Sequence, residues 1–296
     1  MLHNFINMKN RLLNIVTVIQ ARTGSGRLPG KVLLEAAGKT MLEHMIERVN
    51  RAHLKGRIVV ATTNERNDDV IEQLCRRIEV DCFRGSTGDL VQRHFLAAVK
   101  YSADVVVKIP SDCPLINPAI IDKTIDHFVK NRLNYDYVSN LHPPTYPDGN
   151  DVEVFSFNAL YLTNKFAKEE YEREHTTPYI WSNPGQFRIG NVTWDRGLDY
   201  SLSHRFVLDY GEDYEFIREV FENLYYADPC FTLDDILDLL YLRRPIWEIN
   251  AHLRGISWYS KFANDPKAFK LIQRNNNRTI NGINTGKDNL AFCKVS

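Results

Sequence analysis

Short strand-like runs alternate with helix-like segments through the first half of the chain. The runs are β-branched and almost continuously apolar, and they lie at Ile15–Gln20, Ile58–Thr62, Val80–Phe83 and Val105–Ile109. The segments between them have the apolar spacing of amphipathic helices, and they lie at Met41–Ala52, Asp69–Arg77 and Leu90–Tyr101. Strands without polar alternation are typical of parallel sheets that helices cover on both faces. We therefore predict a single three-layer α/β domain with a mostly parallel central sheet, in which Asp68 caps the second helix.

The second half of the chain is less regular. We predict strands at Asp136–Ser139, Val152–Ser156, Phe187–Trp194 and Arg205–Leu208, and helices at Phe157–Ala167, Glu172–Trp181, Glu212–Tyr225 and Leu233–Arg243. No repeat or linker marks a second domain, so we predict one domain over residues 14–260. Residues 261–296 are polar and rich in asparagine, and we expect a loosely ordered tail or one that packs on a partner.

Composition and charge exclude several classes of protein. Lys and Arg together number 37, as do Asp and Glu, so the balanced charge gives no basis for wrapping nucleic acid or coating a membrane. Five cysteines without a CxxC pair are expected to be reduced thiols. We expect the first 14 residues to be neither a membrane span nor a signal peptide, because they have no continuous apolar core and no small-residue cleavage site. We expect a cytoplasmic protein without a membrane span, and a homodimer is compatible with the sequence.

A glycine-rich loop, QARTGSGRLPGK, follows the first strand directly. It contains three cations and no acid, and its glycines allow backbone N–H groups to converge on an anion. A solvated, flexible turn is the alternative, but the carboxyl end of a strand is where such sheets bind ligands. We predict a triphosphate site here, with the nucleotide-binding residues Ala21, Arg22, Gly24, Ser25, Gly26, Arg27 and Lys31.

This loop differs from two common phosphate-binding motifs. A P-loop needs a glycine five residues before Gly30 and Ser or Thr after Lys31, but Ser25 and Val32 stand there. The dinucleotide-binding pattern GxGxxG fails because Pro29 occupies the third glycine position. The chain is therefore predicted to be neither a P-loop NTPase nor a standard dinucleotide-binding protein.

Two aspartates occupy positions suited to a metal ion. Asp112 follows the fourth strand, and Asp209 follows a strand-like run and precedes a helix. Mg²⁺ prefers oxygen ligands, and one or two carboxylates with substrate phosphates usually hold it. Asp112 could instead cap the helix that begins near Asn117. We expect Asp213 to be an acid of a helix N-terminus rather than a ligand.

Further polar residues are candidates for the second substrate. Asp151 and Glu153 lie two apart, on one face of a predicted strand, and could hold sugar hydroxyls or form an exposed strand face. Arg173 could bind a carboxylate or phosphate, and His175 could contact a hydroxyl or act as a base. A surface ion pair and a structural histidine are the corresponding alternatives.

Seven segments of the chain, taken together, resemble one protein family. They read IQARTGSGRLPGK, IVVATT, FRGSTGDLVQR, ADVVVKIPSDCPLI, GNDVEVFS, REHTTPYI and RFVLDYGEDYEFI, and the resemblance extends over residues 14–244. They are similar to the F-type proteins of spore-coat polysaccharide biosynthesis, which belong with the cytidylyltransferases that include CMP-sialic acid and CMP-Kdo synthetases. The loop departs from that pattern at Thr23 and Gly26, where the family usually has methionine and threonine.

The resemblance implies a nucleotide-diphosphosugar transferase fold and a set of residue roles. Arg22 and Lys31 would be the catalytic residues on the triphosphate, and Asp112 and Asp209 would hold Mg²⁺. The residues on the sugar side would be Asp151, Glu153, Arg173 and His175. The implied reaction joins CTP to a small sugar, here expected to be a sugar acid, and releases pyrophosphate. Its product is a nucleotide sugar for polysaccharide biosynthesis.

Two other functions remain open from the residues. A glycosyltransferase can share this kind of fold and uses a nucleotide sugar as donor, but the chain has no Asp-x-Asp motif for the donor's metal. A non-catalytic nucleotide-binding subunit is the other alternative. The cationic loop and the two aspartates favour an active enzyme.

Overall fold

The structure is a computed structural model that describes residues 12–256, and those up to Gly255 belong to one compact unit. Seven strands form a sheet in the order β5-β4-β1-β6-β8-β7-β9, and β2 and β3 form a separate antiparallel hairpin. The strands are β1 Ile15–Gln20, β2 Glu35–Ala36, β3 Lys39–Thr40, β4 Arg57–Thr63, β5 Asp81–Gly85, β6 Val105–Pro110, β7 Tyr137–Ser139, β8 Glu153–Ser156 and β9 Ile189–Asn191. Only β8 runs antiparallel to its neighbours in the large sheet.

Helices cover both faces of this sheet. They are α1 Met41–Asn50, α2 Asp69–Arg77, α3 Leu90–Lys100, α4 Pro118–Lys130, α5 Phe157–Phe166, α6 Glu170–His175, α7 Pro178–Ser182, α8 Gly211–Leu224, α9 Leu233–Leu242 and α10 Arg244–Glu248. Along β6, Val106 packs in the core with α3 and α5, whereas Val107 packs in the core with α1 and α4. Successive strand residues point to opposite faces, so two separate cores form. The predicted three-layer α/β domain is confirmed.

Short polar residues at the helix starts fix where the helices begin. The Thr40 hydroxyl accepts a hydrogen bond from the N–H of Glu43, whose carboxylate accepts one from the Thr40 N–H, which is a capping box. Side chains of Asp89, Asn117 and Ser156 cap α3, α4 and α5, each by accepting a hydrogen bond from a backbone N–H in the first turn. Each such cap contributes about 1 kcal/mol to helix stability. These caps set where the loops after β5 and β6 end.

The pairing register of β1 with β4 and β6 brings the carboxyl ends of these three strands to the same level. Gln20, the last residue of β1, lies opposite Ala61 of β4 and Pro110 of β6. The loops that follow these three parallel strands therefore emerge at one edge of the sheet. That edge carries the glycine-rich loop after β1 and Asp112 after β6, as the sequence predicted.

The structure corrects several predictions for the second half. The helix predicted over Glu172–Trp181 is two short helices, α6 and α7, because Thr176 between them has a φ of 71°. Residues 205–208 are no strand of the sheet, and only Arg205 forms an isolated bridge, to Asp148. The strand predicted over Phe187–Trp194 is confined to Ile189–Asn191. The β2–β3 hairpin was not predicted.

The predictions for the polar tail and for the start of the chain fall outside the described residues. Within residues 12–256, no helix combines the length and apolar character that crossing a membrane requires.

Candidate active site

The glycine-rich loop after β1 is organised by its own hydrogen bonds. The Thr23 carbonyl accepts from the N–H of Ser25 at 2.9 Å and from the N–H of Gly30 at 2.8 Å. Gly30 has a φ of 69°, a left-handed conformation that glycine adopts without strain, and a 3₁₀ turn over Lys31–Leu33 follows it. The loop thus doubles back on Thr23 and delivers Lys31 to the edge of the sheet.

Lys31 is the centre of the site. It is only 9% exposed, and its Nζ lies 2.8 Å from Asp209 Oδ1, 3.4 Å from Asp112 Oδ2 and 2.7 Å from the Leu208 carbonyl oxygen. Burial alone would lower the pKa of Lys31, but the charges of Asp112 and Asp209 outweigh it and raise that pKa. The amine is therefore a permanent cation between two carboxylates that are 97 residues apart in the sequence.

Arg27 completes this cluster from the same loop. Its guanidinium lies 2.6 Å from Asp209 Oδ2, on the carboxylate oxygen that Lys31 does not contact. Burial would raise the pKa of Asp209, but Lys31 and Arg27 together hold it below its ordinary value. Asp209 is thus ionised, and two cations of the loop neutralise it. Arg22, from the same loop, is exposed.

Asp112 reaches the cluster because the turn after β6 is fixed at both ends. The N–H of Ser111 donates to the Gln20 carbonyl at 3.2 Å, and the Asp112 carbonyl accepts from the N–H of Leu208 at 2.7 Å. The alternative role of Asp112 as a helix cap is excluded, because the Asn117 side chain caps α4 by accepting from the N–H of Ala119. The carboxylate of Asp112 is therefore left for Lys31.

A buried ion pair that sequence reasoning missed holds the segment leading to Asp209. Arg205 donates from Nε and Nη2 to both oxygens of Asp213, at 2.8 and 2.9 Å, and its Nη1 lies 3.4 Å from Asp148 Oδ2. Asp213 also accepts from the N–H of Asp209 and of Tyr210. Asp213 is thus an acid of the α8 N-terminus, as expected, and it anchors the turn that carries Asp209. The partner Arg205 could not be identified from spacing alone.

The reversed strand β8 brings two more acids to this edge. Because β8 is antiparallel to β6 and Glu153 pairs with Lys108, the residues before Glu153 lead toward the carboxyl end of β6. Burial, opposed by Arg205 but aided by Asp112 and Asp209, raises the pKa of Asp148 to about 7. Burial and the charges of Asp148 and Asp112 also raise the pKa of Asp151. Asp148 and Asp151 are therefore both close enough to Asp112 to feel its charge. Asp151 was among the predicted site residues, and Asp148 was not.

The other candidates of the sugar side have structural partners. Glu153 is 3% exposed, and its carboxylate accepts from Lys108 Nζ and, at 2.6 Å, from the Tyr137 hydroxyl. Arg173 pairs with Asp89, the cap of α3, and donates to the Asn164 carbonyl at 2.9 Å. The face that Glu153 occupies is thus buried rather than exposed. His175 is the last residue of α6 and is partly buried.

The oxygen donors at the Lys31 cluster fit magnesium bound together with a nucleotide. Within residues 12–256, no group of three or more His, Cys, Asp or Glu side chains could hold a metal ion without other ligands. Asp112 and Asp209 are two carboxylates that share one cation, Lys31. One or two carboxylates completed by substrate phosphates is the coordination that Mg²⁺ commonly takes.

The fold and the edge site together define a class of protein. A seven-stranded, mostly parallel sheet between two helical layers is the architecture that this chain shares with nucleotidyltransferases of the cytidylyltransferase fold. The family model described as cytidylyltransferase matches residues 16–231, and the chain belongs to that family.

Several known proteins are similar to this chain. A solved cytidylyltransferase from Leptospira borgpetersenii has a TM-score of 0.76 and 32% identity, and the match covers 83% of this chain and all of that one. The spore coat polysaccharide biosynthesis protein SpsF of Bacillus subtilis is 28% identical over 71% of this chain and 87% of its own length. A 3-deoxy-manno-octulosonate cytidylyltransferase of Trichlorobacter lovleyi is 40% identical over 40% of this chain and 46% of its own length. The resemblance stated from the sequence is confirmed.

Proposed function

We propose that this protein transfers the cytidylyl group of CTP to a sugar acid, which yields a CMP-sugar and pyrophosphate for polysaccharide or glycan biosynthesis. The convergence of Lys31, Asp112 and Asp209 at the carboxyl edge of the sheet carries the proposal. It supplies cations for a triphosphate and carboxylates for a metal at one point. Membership of the cytidylyltransferase family supports the reaction class. The name of the 3-deoxy-manno-octulosonate cytidylyltransferase supports CTP and a sugar acid as substrates, and the name of SpsF supports polysaccharide biosynthesis.

In this proposal the glycine-rich loop binds the triphosphate. Lys31 and Arg27, which are paired with Asp209 in the free protein, turn part of their hydrogen bonding to phosphate oxygens, and the exposed Arg22 joins them. These cations stabilise the charge that develops on the departing pyrophosphate. The backbone N–H groups of Gly24 and Gly26 and the hydroxyl of Ser25 are further donors of the loop.

Asp112 and Asp209 are the proposed ligands of Mg²⁺. Mg²⁺ held by these two carboxylates would supply Lewis-acid polarisation of the phosphate that the sugar hydroxyl attacks. The protein's own contribution is to hold both carboxylates at one place, on either side of Lys31. The Arg205–Asp213 pair does this for Asp209 by fixing the turn that carries it.

On the acceptor side, Asp151 is the proposed partner of a sugar hydroxyl. It lies just before β8, and within residues 12–256 it does not form an ion pair like the one between Glu153 and Lys108. Arg173 is the proposed contact to the sugar carboxylate, and His175 is the proposed contact to a sugar hydroxyl. Arg173 would then have to release Asp89 and bind the substrate carboxylate instead. The exchange replaces one charge-assisted hydrogen bond with another of the same kind.

A panel of the four nucleoside triphosphates against sugar acids and sugar phosphates tests this proposal, with pyrophosphate release as the readout. We expect release with CTP and a sugar acid only, and none after the divalent metal is chelated with EDTA. Release of a free nucleotide from a nucleotide sugar would indicate a glycosyltransferase instead. Tight CTP binding without turnover on any acceptor would indicate a non-catalytic subunit.

A matched pair of lysine variants tests whether Lys31, at the point where Asp112 and Asp209 converge, is needed for turnover. Lys31→Ala is expected to lower kcat by about a hundredfold or more, the usual cost of losing one preorganised charge contact. Lys39→Ala is the control, since Lys39 pairs with Glu47 on the surface with a side chain that is 40% exposed. Near-normal turnover of Lys31→Ala would refute the role given to Lys31.

A further inference from the structure

The carboxylate of Asp68 is committed to the glycine-rich loop. Asp68 ends the 3₁₀ turn Arg66–Asp68 before α2 and is 2% exposed. Its Oδ1 accepts from both the N–H and the hydroxyl of Thr23, each at 2.7 Å. Its Oδ2 accepts from the hydroxyl of Thr63, the last residue of β4. One threonine of the loop after β1 and one at the end of β4 therefore donate to the same buried carboxylate.

Asp68 lies where a side chain would normally cap a helix, but it does not cap one. It occupies the N-cap position of α2, as the sequence predicts, but its side chain makes no capping hydrogen bond there. An N-cap bond normally contributes about 1 kcal/mol. The carboxylate instead turns to Thr23, 45 residues earlier in the chain. A local rule that is broken in favour of a distant contact is typical of functional sites.

Thr23 connects Asp68 to Lys31 by a short chain of hydrogen bonds. The Thr23 carbonyl accepts from the N–H of Gly30, and Lys31 is the next residue. Lys31 in turn contacts Asp209 and Asp112. An anchor on Thr23 therefore fixes both the start of the loop and the residue immediately before the central amine. This anchor uses the hydroxyl at the position where the family usually has methionine.

We propose that Asp68 is a positioning residue for the triphosphate loop, and that it acts through Thr23 to hold Lys31 and the loop amides where they meet the nucleotide. The inference rests on the proposed function, because it assigns a purpose to the loop. Burial would raise the pKa of Asp68, but the hydrogen bonds from Thr63 and Thr23 outweigh it and keep that pKa low. The anchor is thus a charged acceptor at neutral pH, and such hydrogen bonds are stronger than neutral ones.

Two threonine-to-valine variants separate positioning from stability. Thr23→Val and Thr63→Val each remove one hydroxyl donor to the same carboxylate with little change of shape, but only Thr23 belongs to the loop. Both are expected to lower the unfolding midpoint by similar amounts. Only Thr23→Val is expected to lower kcat/KM for CTP, by about tenfold, the equivalent of one hydrogen bond to a charged group. Thr23→Ser, which keeps the hydroxyl, is expected to restore most of this loss.

Turnover and the affinity for inorganic tripolyphosphate are measured on the full chain. If wild type turns over CTP and the two valine variants have equal kcat/KM, the positioning role is wrong and the proposed function stands. If wild type turns over no nucleotide but binds tripolyphosphate more tightly than Thr23→Val does, the proposed function is wrong and the positioning role stands. If wild type neither turns over CTP nor binds tripolyphosphate, both are wrong.

Discussion

Replacing Gly149 with alanine should destabilise the protein and disturb the site together. Gly149 has a φ of 99°, and a Cβ there would lie 2.5 Å from the carbonyl carbon of Phe206 and 2.7 Å from the N of Val207. Both clashing atoms belong to backbone, so no side-chain rotation relieves them. The segment they belong to leads directly to Asp209. It is also hydrogen-bonded to Asp148, whose carbonyl accepts from the N–H of Phe206 at 2.7 Å.

The cost of Gly149→Ala can be worked out from these two features. A positive φ in an L-residue costs about 1–2 kcal/mol. Forcing an added methyl into packed atoms costs about 1–3 kcal/mol more. The sum is about 3 kcal/mol, which in a protein of this size corresponds to a lower Tm by about 6–12 °C. Folded proteins are commonly stable by about 5–15 kcal/mol, so the variant should still fold and can be assayed.

Gly197→Ala is the matched control. Gly197 has a φ of 68°, but no atom lies within 4 Å of where its Cβ would be. Only the backbone strain then remains, about 1–2 kcal/mol. Chemical unfolding of both variants gives the two free energies, and pyrophosphate release gives kcat/KM. We expect the larger stability loss and the loss of kcat/KM in Gly149→Ala alone. Equal stability losses would show that the close approach to Phe206 is relaxed at no cost, and would refute the reasoning.

Three further predictions concern buried polar groups. Arg205→Met leaves Asp213 buried without its cation and should cost about 3–5 kcal/mol in unfolding free energy by denaturant titration; a loss under 1 kcal/mol would contradict this. Glu153→Gln should cost a similar amount because Lys108 loses its charge partner, while the double variant Lys108→Met, Glu153→Leu should recover most of it; an additive loss would argue against the buried pair. Burial lowers the pKa of His94 to about 3, below the 6.5 of the unfolded chain, so stability present above pH 6.5 is lost as pH falls. Wild type should lose about 1.5 kcal/mol more than His94→Gln between pH 6.5 and pH 5, and parallel pH profiles would refute this.

The sequence predicted best where local pattern and burial coincide. The strands β1, β4 and β6 are buried on both faces, so their apolar runs end within a residue or so of the observed bounds. The helix predicted over Glu172–Trp181 was wrong because Thr176 adopts a positive φ, a conformation that the apolar periodicity does not encode. The short hairpin β2–β3 has too few residues to show alternation.

The candidate site shows the same division. Asp112 lies just after β6 and Lys31 ends the loop that follows β1, so the rule that parallel strands end at one edge was enough to bring them together. Asp209 also joined them, although the run before it is no strand of the sheet. The contacts of Arg205 with Asp213 and of Asp68 with Thr23 depend on how loops fold back. They join residues through side-chain directions that the spacing of residues does not determine.

The reversed strand β8 has a consequence for how the two halves of the site can diverge. In a wholly parallel sheet, every loop at the edge that binds ligands follows the carboxyl end of a strand. Each such loop leads into the crossover helix that comes next in the chain. The stretch carrying Asp148 and Asp151 instead enters a strand from that edge. Apart from the positions that pack on residues 204–207, such as Gly149, this stretch can therefore change without shifting the crossovers of β1, β4 and β5. One inverted strand thus makes this side of the site structurally separable from the crossover loops on the other side.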